Sequence, residues 1–134
     1  MTATFLGSAL RAGRPVRLRA RGQSMRPFIP DGSEVLVVPL DSPPCVGEVV
    51  LVQVAGELAL HRVVEVFPAA GRRYVRTRGD ARRTPDPPLP VESILGRAAE
   101  VRVGDRTIRL DTVPGRFLGW VAARLLPQLS WLRR

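Results

Sequence analysis

The sequence predicts a mainly β domain, folded as a compact antiparallel barrel or sandwich with one short helix at its start. Short runs rich in β-branched and aliphatic residues recur along the chain, and Gly, Pro or Asp bounds each of them. Turn-forming pairs such as Ala55-Gly56 and Gly104-Asp105 separate these runs. The chain has 134 residues and 45% of them are hydrophobic, which supplies one domain with a core without disulfides or a metal.

The apolar runs predict six strands, and the N-terminal segment predicts a helix over Thr2–Ala12. In this helix Phe5, Leu6, Ala9 and Leu10 recur at three- and four-residue spacing, before Gly13 and Pro15 end it. The segment Arg82–Pro90 holds four prolines and is predicted to be a loop. The predicted strands are Glu34–Val38, Glu48–Val54, Leu58–Val66, Arg73–Thr77, Ile94–Val103 and Thr107–Leu110.

We expect one functional domain over residues 1–113, with its core at 15–111 and its helix at 2–12, followed by an amphipathic segment at 114–134. That last segment combines Leu and Trp with flanking Arg and is expected to be helical. Such a composition is typical of a helix lying on a membrane surface, and equally of one packed on a domain or on a partner. The sequence leaves both interpretations open.

The net charge of +9 is carried by arginine, because the 21 basic residues include no lysine. This charge suits nucleic acid, an anionic membrane surface or acidic peptides. The arginines are scattered, only seven residues are aromatic and no recognition motif is present, so we expect no nucleic-acid partner. One cysteine and one histidine exclude a zinc-ligand set, and no metal or other cofactor is expected.

The first residues lack the basic start, apolar run and small-residue cleavage site of a signal peptide. No stretch reaches the roughly 20 uninterrupted apolar residues that a spanning helix needs. We therefore expect a cytoplasmic protein, with 114–134 offering a peripheral contact at the cytoplasmic face of the membrane.

A serine in the segment Gly22-Gln23-Ser24-Met25-Arg26-Pro27 is the candidate nucleophile. Prolines and glycines around it favour one rigid loop, although a loop serine is more often an ordinary capping or solvated hydroxyl. A serine hydroxyl needs a base to act as a nucleophile at neutral pH. Since lysine is absent and arginine stays protonated, the only nitrogen base in the chain's side chains is His61.

Two carboxylates, Asp80 and Asp86, follow a predicted strand in the segment Arg78-Gly79-Asp80 to Asp86. Either one is able to orient His61 by accepting a proton from its Nδ1 atom. Gly79-Asp80 is also an ordinary turn sequence, and Asp86 has arginines nearby. The residues alone leave the choice between the two carboxylates open.

Four motifs occur in the same order as the conserved boxes of the type I signal peptidase superfamily, which residues 22–103 resemble. They are the Ser-Met-x-Pro segment at Ser24, the apolar strand after Gly47-Glu48, the His-Arg-Val-Val strand at His61 and the Gly-Asp loop at Asp80. One part of the superfamily uses Ser and Lys, and another, of the endoplasmic-reticulum and archaeal type, uses Ser and His. A chain without lysine resembles the Ser-His branch.

The resemblance implies a signal-peptidase catalytic core and a serine endopeptidase that cleaves a leader- or signal-like peptide from a precursor. It implies Ser24 as the nucleophile, His61 as general base and then general acid, and Asp86 or Asp80 as the orienting carboxylate. Neighbouring residues are implied to contribute to substrate and oxyanion binding: Gln23, Met25 and Pro27.

The chain also departs from the superfamily's pattern. Gly22 stands where a serine often supplies a side-chain oxyanion donor, Ala81 replaces an asparagine after Gly-Asp, and no N-terminal membrane anchor is expected. These departures support an alternative hypothesis, in which the domain is a catalytically inactive barrel that binds peptides or a partner protein.

Overall fold

The computed structural model describes residues 3–111 and 120–121, and these form one helix, one turn of 3-10 helix and eight strands. Helix α1 spans Ala3–Arg11, and the 3-10 turn spans Val91–Ser93. In chain order the strands are β1 (Val16–Arg19), β2 (Glu34–Val38), β3 (Val49–Val54), β4 (Glu57–Ala69), β5 (Arg72–Arg78), β6 (Leu89–Pro90), β7 (Gly96–Val103) and β8 (Arg106–Arg109).

All described strand pairs are antiparallel, and together they form one curved sheet whose order is β1-β2-β7-β3-β4-β5-β6. Strand β8 pairs with β7 outside this path. The prediction of a mainly antiparallel β domain with a short N-terminal helix is confirmed. The described sheet does not close, because β1 and β6 at the two ends of the path do not pair.

Strands β1 and β6 are the two that the sequence did not predict. Strand β1 reads Val-Arg-Leu-Arg, and its two exposed arginines make the segment too polar for a hydrophobic run. Strand β6 has only two residues and ends at Pro90, inside the segment that was predicted to be a loop. Proline is tolerated there because β6 is the last strand of the path and pairs only with β5.

The central strand β3 is buried on both faces, which explains its uninterrupted apolar sequence. Successive side chains of a strand point to opposite faces. Val49 and Leu51 accordingly join one hydrophobic cluster, and Val50 and Val52 join a second cluster on the other face. The strand is thus fixed in register, because a slip of one residue would exchange its two faces.

Helix α1 closes the first cluster through Leu6 and Leu10, which pack with Val35 and Val37 of β2. The helix agrees with the prediction over Thr2–Ala12 to within one residue at each end. The predicted helical segment 114–134 lies almost entirely outside the described residues and remains a prediction. Among the described residues no helix is both long and apolar enough to cross a lipid bilayer.

Gly96 is the first residue of β7 and pairs with Leu51 of β3, next to the end of the β2–β7 pairing. There is no room for a side chain at this position. A Cβ atom there would lie 2.7 Å from Val37 Cγ1 and 2.7 Å from the carbonyl oxygen of Val38. These atoms belong to the packed core and to backbone, so they cannot move aside cheaply. The close approach of β2 and β7 therefore depends on glycine.

We expect Gly96→Ala to lower the free energy of unfolding by about 1–3 kcal/mol, because the added methyl group overpacks the core. Urea denaturation followed by circular dichroism measures this loss. Gly7→Ala is the matched control, since its Cβ would lie 3.4 Å from the flexible end of Arg11 in helix α1. The control should be neutral or slightly stabilising, and equal stability of the two variants would contradict the packing argument.

Candidate active site

A groove of about 780 Å³ lies between β1 with the loop that follows it and the first half of β4. Residues 17–25 line one side and residues 57–61 line the other. Strand β4 is the partner of β3 through a two-residue turn at Ala55-Gly56, and its pairing with β5 begins only at Arg62. The groove therefore runs beside a stretch of β4 whose outer edge is unpaired within the described residues.

Ser24, His61 and Asp86 form a continuous chain of contacts at this groove. The Oγ atom of Ser24 lies 3.3 Å from Nε2 of His61, and Nδ1 of His61 lies 2.5 Å from Oδ2 of Asp86. The His61 residue is only 6% exposed, whereas Ser24 is half-buried. The structure thus brings together the serine, the histidine and one of the two carboxylates that the sequence singled out.

The carboxylate beside Nδ1 has a direct consequence for the histidine. Asp86 favours the tautomer in which the proton is on Nδ1, because the carboxylate accepts a hydrogen bond from that atom. The lone pair of Nε2 then faces the hydroxyl of Ser24. Such an arrangement is able to accept the serine proton and to stabilise the imidazolium that results.

Thr77, near the end of β5, fixes the position of Asp86. Its hydroxyl donates a hydrogen bond of 2.8 Å to Asp86 Oδ2, and its carbonyl oxygen accepts one of 2.7 Å from the Asp86 N–H group. Thr77 is completely buried. Sequence reasoning missed this residue, because a threonine at the end of a strand carries no signal that a carboxylate nine positions later will return to it.

Asp80 lies elsewhere, in a buried ion pair with Arg62. The guanidinium donates from Nε and Nη2 to the two carboxylate oxygens over 2.8 and 2.7 Å, and from Nη1 to the carbonyl oxygen of Gly47 over 2.8 Å. Arg62 follows His61 directly in β4, so the two side chains point to opposite faces. Of the two carboxylates that the sequence left open, Asp86 contacts His61 and Asp80 does not.

The loop that carries Ser24 is attached to this buried pair through backbone groups. The N–H of Asp80 donates to Sδ of Met25 over 3.4 Å, and the N–H of Ala81 donates to the carbonyl oxygen of Ser24 over 2.8 Å. A Cβ atom on Gly79 would lie 2.7 Å from that same Ser24 oxygen. The Gly-Asp turn and the serine loop are therefore in direct backbone contact.

The other residues assigned to substrate or oxyanion binding lie in different surroundings. Gln23 lines the groove, and its side-chain carbonyl accepts a hydrogen bond of 2.8 Å from Arg26. Met25 is buried in the first hydrophobic cluster, so its side chain anchors the loop that carries Ser24 to the core. Pro27 is exposed and does not line the groove. The residues that the structure describes contain no group of three His, Cys, Asp or Glu side chains able to hold a metal ion.

We expect Asp80→Ala to lower the free energy of unfolding by about 3–5 kcal/mol, because it leaves the buried Arg62 charge without its partner. Denaturant unfolding measures the change. The matched control is Glu34→Gln, which removes the carboxylate of the exposed pair that Arg17 and Glu34 form at 3.3 Å. That control should cost less than about 1 kcal/mol. A loss for Asp80→Ala as small as the control's would contradict the anchoring role.

Comparison with known proteins identifies the family of the chain. None of the curated proteins matches the chain. The Peptidase S24-like family matches residues 5–81, more than half of the chain. The matched region includes Ser24, His61 and Asp80 but ends before Asp86, so the contact of Asp86 with His61 is known from the geometry alone. The predicted resemblance is thereby confirmed at the level of a serine-peptidase-like superfamily, and the chain belongs to the Peptidase S24-like family.

Proposed function

We propose that this protein is a serine endopeptidase of the Ser-His type that cleaves a leader-like peptide through an acyl-enzyme on Ser24. The contact chain from Ser24 through His61 to Asp86 is the observation that carries the proposal. Membership of a serine-peptidase-like family supports it further. A chain without lysine has no side-chain amine to take the place of His61 as base.

The reaction follows from the positions of these atoms. Oγ of Ser24 attacks the carbonyl carbon of the scissile peptide bond while its proton passes to Nε2 of His61. The tetrahedral intermediate collapses, the C–N bond breaks, and the imidazolium returns the proton to the leaving amine. A water molecule then attacks the ester on Ser24 with His61 again as the base, which releases the acid product and restores the hydroxyl.

Backbone N–H groups are the proposed donors to the oxyanion. Gln23 and Ser24 line the groove, and their N–H groups make no hydrogen bond to any described residue. Gly22 has a φ angle of +94°, a backbone conformation that residues other than glycine rarely adopt. Its N–H donates to Oδ1 of Asp31 over 2.8 Å. Position 22 thus suits glycine, and glycine has no side chain that could donate to the oxyanion.

The substrate is proposed to bind as an extended strand between β1 and β4. Among the described residues β1 pairs only with β2, and Glu57–Leu60 of β4 pair only with β3, so both outer edges are open toward the groove. The N–H and C=O of Ala20 bond back to the residues before β2. Along an antiparallel edge strand, the backbone N–H and C=O groups of successive residues point alternately toward the paired strand and away from it. Since those of Ala20 point toward β2, the backbone groups of Arg17 and Arg19 point toward the open edge. A peptide strand is able to pair there.

The second candidate function is a peptide-binding domain without catalysis. Gly22 and Ala81 favour it, because neither offers the polar side chain that the resemblance associates with these positions. An open groove between two strand edges would serve such a domain equally well. The two candidates differ in whether Ser24 reacts.

We expect a fluorophosphonate probe to label Ser24, and Ser24→Ala to abolish both the labelling and the cleavage of peptides. His61→Ala should abolish the labelling as well, because the hydroxyl then has no base. Mass spectrometry of the labelled protein identifies the modified residue. Ser8→Ala, at an exposed position of helix α1, is the control that should label as the wild type does. Peptide cleavage by pure Ser24→Ala protein would rule out the proposal.

We expect Asp86→Asn to lower kcat by roughly 10⁴-fold, the size of the loss known for the equivalent change in a Ser-His-Asp triad. The amide no longer selects the Nδ1–H tautomer. Thr77→Val should lower kcat by a smaller factor, on the order of tenfold, because it only frees the carboxylate to move.

Asp105→Asn, in the exposed turn between β7 and β8, is the matched control and should leave kcat unchanged. Thermal unfolding of each variant separates loss of activity from loss of fold. A wild-type kcat for folded Asp86→Asn protein would show that His61 is not oriented by this carboxylate.

A further inference from the structure

Three exposed arginines surround the groove without a carboxylate partner. Arg19, Arg21 and Arg82 line it, and none of them forms an ion pair within the part of the chain that the structure describes. Arg17, the fourth arginine at the groove, differs because it pairs with Glu34 at 3.3 Å and lies 3.9 Å from Glu100. We call Arg19, Arg21 and Arg82 the rim arginines.

The negative charge available inside the groove is smaller than the positive charge of the rim. Only two of the residues that line it are acidic, Glu57 and Asp86. Asp86 accepts hydrogen bonds from His61 and Thr77, and Glu57 lies at the end of the β3–β4 turn. These two carboxylates do not balance the three rim arginines. Nη1 of Arg19 donates to the carbonyl oxygen of Gly32 over 2.8 Å, but none of the rim arginines has a carboxylate partner among the described residues. The groove is thus a concave site with an excess of guanidinium charge, and such a site attracts anionic groups.

Below the rim the groove is apolar. Leu18 of β1, Leu58 and Leu60 of β4, and the buried Met25 and Ile29 line its floor. A ligand that fits both regions carries small or apolar groups in its centre and carboxylates beside them. A free inorganic anion or a polyphosphate matches only the rim.

We propose that the peptidase selects substrates that carry Asp or Glu beside the scissile bond, and that the rim arginines bind these carboxylates. The inference rests on the proposed peptidase function, since it names the substrates of that same groove. Arg21 lies three residues before Ser24 in the chain, and Arg19 lies two residues earlier still. Arg82 is distant in the chain but follows Ala81, whose N–H donates to the carbonyl oxygen of Ser24 over 2.8 Å. Side chains of an extended peptide recur on one face at every second residue, so alternate carboxylates reach successive arginines.

An acidic peptide explains the arrangement better than an anionic membrane does. The rim arginines flank a concave groove that holds Ser24, whereas a membrane surface needs basic and apolar side chains on one protruding face. The strand edges of β1 and β4 also offer a peptide the backbone hydrogen bonds that a lipid headgroup does not use.

The test measures binding and cleavage separately, with three sets of short peptides. Their central alanines are flanked by Glu, by Gln or by Lys. Binding is measured by fluorescence anisotropy on Ser24→Ala protein, which leaves the peptides intact, and cleavage is measured as kcat/KM on the wild type.

We expect the Glu peptides to bind and react better than the Gln peptides by about two- to fivefold per carboxylate, the range for ion pairs in water. The Lys peptides should be the poorest. The preference should shrink as salt is raised, because the rim charges are exposed to solvent.

The triple variant Arg19→Gln/Arg21→Gln/Arg82→Gln should lose the preference for Glu while it still cleaves the Gln peptides. Its matched control removes the same charge elsewhere, at three exposed positions where β5 and β8 begin: Arg72→Gln, Arg73→Gln and Arg106→Gln. The control should keep the wild-type preference. A loss of preference in both variants would assign the effect to net charge and overturn the inference.

The remaining outcomes distinguish the inference from the function on which it rests. Equal cleavage of Glu and Gln peptides, with Ser24 labelled, overturns the inference and leaves the peptidase intact. A preference for Glu in binding without labelling or cleavage overturns the peptidase. Loss of adhesion to phosphatidylglycerol vesicles in the triple variant, with no peptide preference in the wild type, would assign the arginines to a membrane and overturn the inference.

Discussion

The buried ion pair between Arg62 and Asp80 is the interaction on which the arrangement of the groove depends. Two charges placed in the interior lose their hydration, and they are tolerated only when each is paired and hydrogen-bonded. Here the guanidinium makes two bonds to Asp80 and one to the carbonyl of Gly47. The Phe28 ring also lies over it, with its centroid 5.2 Å from Cζ. Three separate parts of the chain therefore contact the side chain of Arg62 in β4.

The same pair links the proposed nucleophile to the proposed base. Asp80 belongs to the turn whose backbone N–H groups bond to Met25 and to Ser24, while Arg62 belongs to the strand that carries His61. Because a strand is stiff and adjacent residues point to opposite faces, fixing Arg62 on one face also fixes His61 on the other. The distance between Ser24 and His61 is therefore set by contacts that lie outside the groove.

Features that depend on local sequence were predictable, and features that depend on the path of a loop were not. His61 was identifiable by elimination, since the chain has no other side-chain nitrogen base. Six of the strands were identifiable as apolar runs bounded by Gly, Pro or Asp. The choice between Asp80 and Asp86 was not, because it depends on the path of a proline-rich loop that brings Asp86 back to Thr77. Strand β1 was missed because its arginines interrupt the apolar pattern, although one of them, Arg19, contributes to the charge of the groove.

The buried pair also governs the electrostatics of the proposed proton transfer. An imidazolium forms on His61 when Ser24 gives up its proton, and a free guanidinium on the neighbouring residue would oppose that charge. Asp80 neutralises Arg62 on the far face of the strand. On the near face, Asp86 is the carboxylate in direct contact with the imidazole. A neutral residue at position 62 would avoid the repulsion but would release the Gly-Asp turn, to which the loop that carries Ser24 is bonded. Arginine bound to aspartate meets both requirements, since it holds the loop through its hydrogen bonds while its charge is balanced beside the base.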